Sequence, residues 1–170
     1  MLLFDTHHKK SYIILVSCEE MKEMLMYHMV VEQTYKYKKR MYYDVKSNTF
    51  KEKAYDSLAH LRGFKQPYPY GWIKETGTPP GKHCDVILMS IKEYELGDEI
   101  PINIIGIFAR NDGDHKFIAV EEDRSIQTYS QLSDKEKAEL HRLYPRIDKG
   151  EGWFDKERAF QYLEEPARPK

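Results

Sequence analysis

From His28 onward the chain alternates short apolar, β-branched and aromatic runs with polar interruptions: Met29 to Tyr35, Met41 to Val45, Phe50 to Tyr55, Tyr70 to Lys74, Asp85 to Ser90, Ile100 to Ala109 and His115 to Glu121. Runs of this length and makeup predict strands. Lys46-Ser47-Asn48-Thr49 and Asn111-Asp112-Gly113-Asp114 predict hairpin turns, and Thr76-Gly77-Thr78-Pro79-Pro80-Gly81 predicts a loop that continues neither helix nor strand. The texture changes at Ser133-Asp134-Lys135-Glu136, a Ser-x-x-Glu capping box with Leu140, Leu143 and Tyr144 behind it at helical spacing and Pro145 as the stop. A second helix is expected after Asp155, through Ala159, Phe160, Tyr162 and Leu163, ending before Pro166.

Strands first and helices last is an α+β order, here mainly β. Many short antiparallel strands avoid open edges by closing, so the expected architecture is a small OB-like closed barrel flanked by two C-terminal helices. Residues 1–27 stand apart as an N-terminal extension. There Tyr12 to Val16 has the texture of a strand, while Met21, Met24 and Leu25, continued by His28 just beyond it, lie at helical spacing after Ser17, and the pattern does not choose between the two. The division is therefore extension 1–27, barrel domain 28–165 and tail 166–170.

Composition narrows the function classes. A chain of 170 residues with 41% hydrophobic content suits one domain with a real core. Its 27 basic and 28 acidic residues nearly cancel, so no global field draws it to nucleic acid or to a membrane surface. The longest apolar runs are too short to span a bilayer, and Met1-Leu2-Leu3-Phe4-Asp5 lacks the basic-then-apolar pattern of an export signal. Cys18 and Cys84 form no disulfide framework and are expected to be reduced thiols, which points to the cytoplasm.

Ionisable residues bunch at Tyr70 to Asp85, at Asn111 to Lys116, and in Lys36-Tyr37-Lys38-Lys39-Arg40. Each also has a plain structural meaning: Asp112 and Asp114 beside Gly113 suit a hairpin turn, the basic run blunts a strand edge, and His83-Cys84-Asp85 alternates across a strand. There is no Gly-x-Ser-x-Gly elbow and no Gly-rich phosphate loop. Residue patterns alone reach a soluble barrel with an anion or metal site.

Tyr70-Gly71-Trp72-Ile73, a Gly/Pro loop and Asp85-Val86-Ile87-Leu88 resemble the signature of the type I soluble inorganic pyrophosphatases, Tyr-Gly-Tyr-Ile, loop, Asp-x-Asp-Pro-x-Asp-Val-Leu. The likeness continues in Ile104 to Ile107, the acidic hairpin, Lys116 to Val120, Tyr144 and Glu151-Gly152-Trp153, and upstream in Val30-Val31-Glu32 and Arg40 to Asp44. It runs in order over residues 28 to 165. The resemblance implies a five-stranded OB-like barrel, Mg²⁺-dependent hydrolysis of diphosphate to two phosphates, and assembly into homo-oligomers.

Carried over by position, the resemblance makes Asp85 and Asp114 metal ligands and Glu32 an outer-shell carboxylate, with Asp112 as a further metal-holding candidate. Asp85, Asp114, Lys116 and Tyr70 become the catalytic set. Arg40, Lys116 and Tyr144 become substrate-binding residues. This chain departs from the pattern where Pro80 and Lys82 replace the first two signature aspartates, where Tyr42 replaces a Glu, and where Pro145 replaces a Lys. The acidic turn is about three residues shorter, and an ungapped reading does not decide whether Asn111 or Asp112 takes the place of its first Asp. With fewer carboxylates, Mg²⁺ binding is expected to be reduced or lost, and Lys82 is expected to sit near a metal position and to favour a phosphate there. Two functions follow: a pyrophosphatase homologue with weak or lost activity, or a non-catalytic phosphate-, diphosphate- or nucleotide-binding protein. Oligonucleotide binding through Tyr35 and Tyr37 is a weaker third, opposed by the near-neutral charge.

Overall fold

In the computed structural model, residues 26–164 are described. Eight strands appear: β1 (Tyr27–Gln33), β2 (Lys39–Asp44), β3 (Thr49–Asp56), β4 (Tyr70–Ile73), β5 (Cys84–Leu88), β6 (Glu99–Ala109), β7 (Lys116–Glu121) and β8 (Gly152–Asp155). The helices are α1 (Leu58–Leu61), α2 (Asp134–Leu143) and α3 (Lys156–Glu164). The expectations for Tyr12 to Val16 and for Met21, Met24 and Leu25 after Ser17, together with Cys18, lie outside the described residues, while His28, grouped with that helical spacing, lies in strand β1.

The main sheet runs β1-β4-β5-β7-β6-β8, and β1 also pairs with β6, so β1, β4, β5, β7 and β6 close into a five-stranded barrel. All of its pairings are antiparallel except β5 with β7, which is parallel, with Asp85 opposite Lys116. The hairpin β2-β3 forms a separate two-stranded sheet. The expected mainly β, OB-like barrel is the observed fold, and the two predicted helices are α2 and α3. Beyond the expectation are the one-turn α1 and the edge strand β8, which joins β6 through pairs such as Phe108 with Trp153. Several ends also differ: Tyr35 lies in a turn and Lys74 in a 3-10 turn, because local hydrogen bonding replaces the ladder there.

Strand alternation places the core on both faces of the sheet. Val86 and Leu88 of β5 and Phe117 and Ala119 of β7 point into the barrel with Met29, Val31 and Ile107, and α3 closes that interior with Ala159. Their neighbours Ile87, Met89, Ile118 and Val120 point outward and are covered by Leu140 of α2 and by Tyr68, Tyr129 and Leu132. A strand covered on both sides reads as an unbroken apolar run, which is the texture of β5 and β7. The cover is anchored at its start: Ser133 Oγ accepts from the Glu136 N–H, and Glu136 Oε2 accepts from the Ser133 N–H at 2.9 Å. Among the described residues no helix is long and apolar enough to cross a membrane.

Two local features turn side chains toward one end of the barrel. The register of β1 slips between Val31 and Gln33, a bulge that re-aims Glu32. Gln33 then fixes the following turn, donating from Nε2 to Tyr37 O at 2.9 Å and accepting the Met41 N–H at 2.8 Å. Arg40 is thereby held facing inward beside Glu32.

Candidate functional site

The site is assembled from β1, β2, β4, β5, β7, the β6-β7 turn and the end of α2. At its centre is Lys116, 5% exposed. Its Nζ donates to Asp85 Oδ2, to Asp114 Oδ1 at 2.9 Å and to the Tyr70 hydroxyl at 3.4 Å. Burial works against the charge of Lys116, yet Asp85, Tyr144 and Asp114 outweigh it and hold the ammonium above its ordinary pKa. Burial likewise opposes ionisation of Asp85, and contacts from His83, Lys116 and Tyr70 reverse that, holding its carboxyl well below the usual range.

Arg40 donates from Nη2 to Glu32 Oε2 at 2.6 Å, and Glu32 Oε1 accepts the Tyr43 N–H at 3.1 Å. The Arg40 guanidinium carbon lies 5.0 Å from the centre of the Tyr70 ring, and Lys116 Nζ lies 5.6 Å from it. Both cations lie within cation–π range of the Tyr70 ring. Burial, then Asp85 and Tyr144, push the Tyr70 hydroxyl well up, and burial also pushes up Tyr144, so both remain phenols that can donate. Tyr144 gets its place from α2, whose C-terminal cap it is.

The acidic turn is held by a residue that the sequence reading passed over. Arg110 donates from Nη2 to Asp112 Oδ2 at 2.7 Å and from Nη1 to Asp114 Oδ2 at 3.2 Å. Asp112 Oδ1 also accepts the Asp114 N–H at 2.9 Å, and Gly113 takes φ +77°, the left-handed region this tight hairpin needs. The available signal was positional, since Arg110 stands two and four residues before the two carboxylates, within reach of both. His83, which the sequence offered only as part of His83-Cys84-Asp85 alternating across a strand, also reaches the site: its Nε2 lies 3.3 Å from Asp85 Oδ1 and its Nδ1 2.7 Å from Gly81 O. His83 and Asp85, two apart, share a side, while Cys84 packs against the barrel core.

Arg40, Arg110, Lys116, Asp114, Tyr70 and Tyr144 line one cavity of about 190 Å³. Gln33, Ser57, Gln66, Leu58, Leu143 and Ile87 complete its wall. That volume is below the roughly 300 Å³ at which pockets for drug-sized molecules begin, so it suits a small ligand. Of the expected residues, Asp85 and Glu32 do not line the cavity, and each is bound to one of its cations. Asp112 is exposed on the hairpin and does not line the cavity either, and it is bound to Arg110. Lys82 and Pro80 are exposed on the loop before β5, after a cis Pro79-Pro80 bond, and neither lines the cavity. The basic run divides: Lys38 and Lys39 pair with Asp56 on the hairpin, and only Arg40 reaches the site.

Mg²⁺ requires near-octahedral oxygen coordination at about 2.0–2.1 Å. Among the described residues no three His, Cys, Asp or Glu side chains come together as a metal donor set. Asp85 and Asp114 have the Lys116 ammonium between them, and Asp112 and Asp114 share Arg110. As folded, these donors do not fit a cluster of divalent ions.

A family model described as inorganic pyrophosphatase matches residues 29–167. No curated protein matches the chain by sequence. Among solved structures, the inorganic pyrophosphatase of Neisseria gonorrhoeae is similar at 20% identity and a TM-score of 0.65, covering 82% of this chain and 88% of its own. That of Ehrlichia chaffeensis is similar at 20% identity and 0.64, covering 80% and 89%. The type I inorganic pyrophosphatase of Toxoplasma gondii is similar at 16% identity and 0.55, covering 96% and 85%. At these identities the structures speak for the fold.

Proposed function

The chain belongs to the inorganic pyrophosphatase family, and from that premise we propose that its cavity takes diphosphate, or another small phosphorylated anion, with metal-dependent hydrolysis weak or lost. The observation that carries this reading is the position of Lys116 Nζ between Asp85 and Asp114. Hydrolysis of diphosphate relies on divalent ions that neutralise the substrate, acidify a water and align it with phosphorus. Here a fixed ammonium occupies the space between the two carboxylates on which such an ion would depend.

The same geometry favours binding. The cavity wall carries Arg40, Arg110 and Lys116 against the single carboxylate Asp114. The carboxylates paired with these cations, Glu32, Asp85 and Asp112, orient them, so little ordering remains to be done when an anion enters. The Tyr70 and Tyr144 hydroxyls add neutral donors. Charged donors of this kind, two of them guanidinium forks, match phosphate oxygens.

The test measures phosphate release from diphosphate with Mg²⁺, with Mn²⁺ and with chelator, beside Asp85→Asn, and diphosphate binding by calorimetry. Binding with little or no release above the Asp85→Asn background is expected. Rapid Mg²⁺-dependent release that disappears in Asp85→Asn would sink the reading and restore ordinary enzymatic turnover.

A further inference from the structure

We propose that Arg110 supplies, from within the chain, positive charge that divalent cations bring to diphosphate chemistry, so that this site binds its phosphate ligand as the metal-free anion. The inference rests on the reading of the cavity as a diphosphate site. It comes from a complete pairing: each carboxylate that the family resemblance assigns to metal binding is held by a cation of this chain. Asp85 is held by Lys116, Asp112 by Arg110, Asp114 by both, and Glu32 by Arg40.

Arg110 is the member of this set that the resemblance does not supply, and its position is built. Its backbone N–H donates to His115 Nδ1 at 2.9 Å. The next residue, Asn111, donates from its N–H to Glu151 Oε1 at 3.0 Å and from Nδ2 to Lys149 O at 3.1 Å. The shortened turn is thereby tied to the segment ahead of β8, and the guanidinium spans Asp112 and Asp114 while lining the cavity. A guanidinium has five N–H donors and stays charged at any physiological pH. The two contacts to the turn leave further donors for a phosphate. A divalent ion would have to displace this fork from Asp112 and Asp114 and Lys116 from Asp85 and Asp114, four charge-assisted contacts, before it had ligands.

The ligand class is therefore a free di- or monophosphate anion, not its magnesium complex. The probe is methylenediphosphonate, which is not hydrolysed, titrated calorimetrically into wild type, Arg110→Gln and Arg110→Lys, in EDTA and in Mg²⁺, with Mn²⁺ binding followed by EPR. Thermal melts check that the variants are folded. Wild type is expected to bind the diphosphonate in EDTA, with no gain from Mg²⁺ and no tight Mn²⁺ site. Arg110→Gln is expected to bind about tenfold or more weakly in EDTA, to recover in Mg²⁺ and to acquire a Mn²⁺ site on the freed carboxylates; Arg110→Lys, charged but without the fork, falls between. Wild-type binding that appears only with Mg²⁺, or Arg110→Gln binding like wild type in EDTA, overturns the proposal. If no protein binds the diphosphonate in either buffer, the diphosphate reading fails, and Mn²⁺ decides the inference alone: a site in wild type overturns it, and a site gained only in Arg110→Gln supports it.

Discussion

Lys116 on β7 and Asp85 on β5 are register partners in the barrel's one parallel pairing, and their side chains form a buried ion pair, 6% and 13% exposed. Both are costly to bury alone, and each helps to keep the other charged, with His83 also holding Asp85 ionised and Tyr144 and Asp114 also favouring the ammonium. Asp85→Asn is expected to destabilise the fold by about 3 kcal/mol, because it leaves the ammonium with Asp114 as its only remaining carboxylate. The pH dependence has a definite sign. Asp85 is held below its ordinary value of 3.8, so its contribution is complete above that pH and is lost as pH falls below it. Urea unfolding between pH 3 and pH 6 checks this: wild type should lose stability toward pH 3 more steeply than Asp85→Asn, and parallel curves would refute the pairing.

Two histidines should titrate in opposite directions. The hydrogen bond from His83 to Asp85 raises its pKa, whereas burial lowers that of His115, whose ring packs 4.2 Å from that of Tyr162. His83 therefore contributes stability that is present below about pH 6.5 and lost as pH rises through its folded value. His115 contributes stability that is present above about pH 6.5 and lost as pH falls through its folded value. Ring-proton NMR titration should place His83 above the free-histidine value and His115 below it. Asp85→Asn should bring His83 back down and leave His115 nearly unmoved.

Gly71 is required by the closeness of β1. A Cβ at position 71 would lie 1.9 Å from the Val30 carbonyl oxygen, so Gly71→Ala forces β4 away from β1. The expected cost is at least 2 kcal/mol, of the order of other overpacking changes, read as a fall in the denaturation midpoint. Gly63→Ala is the contrast: its Cβ would meet nothing within 4 Å, but its φ of +80° makes that cost one of backbone strain, about 1 kcal/mol.

Much of this was legible because it is local. The capping box at Ser133 and Glu136, the hairpin turns at Asn48 and Gly113, and the alternation along β5 and β7 depend on residues within a few positions of each other. The ordered motifs from Val30 to Trp153 pointed to the family. β8 was missed because four residues without alternating texture carry no strand signal; Trp153 and Phe154 are held there by pairing with β6.

The sequence by itself determined the order of β1 to β7 and of the two C-terminal helices, the mainly β class and the family, along with the replacement of two signature aspartates by Pro80 and Lys82. Only the tertiary structure decided which charges meet. It set Lys116 between Asp85 and Asp114, gave Asp112 and Asp114 to Arg110 and Glu32 to Arg40, and left Lys82 exposed outside the cavity. The reason is physical: turns and helix caps are set by neighbours a few residues away, whereas charges far apart in sequence meet where barrel closure returns their strands to each other. Asp85 and Lys116 meet only because β5 and β7 lie side by side in one register.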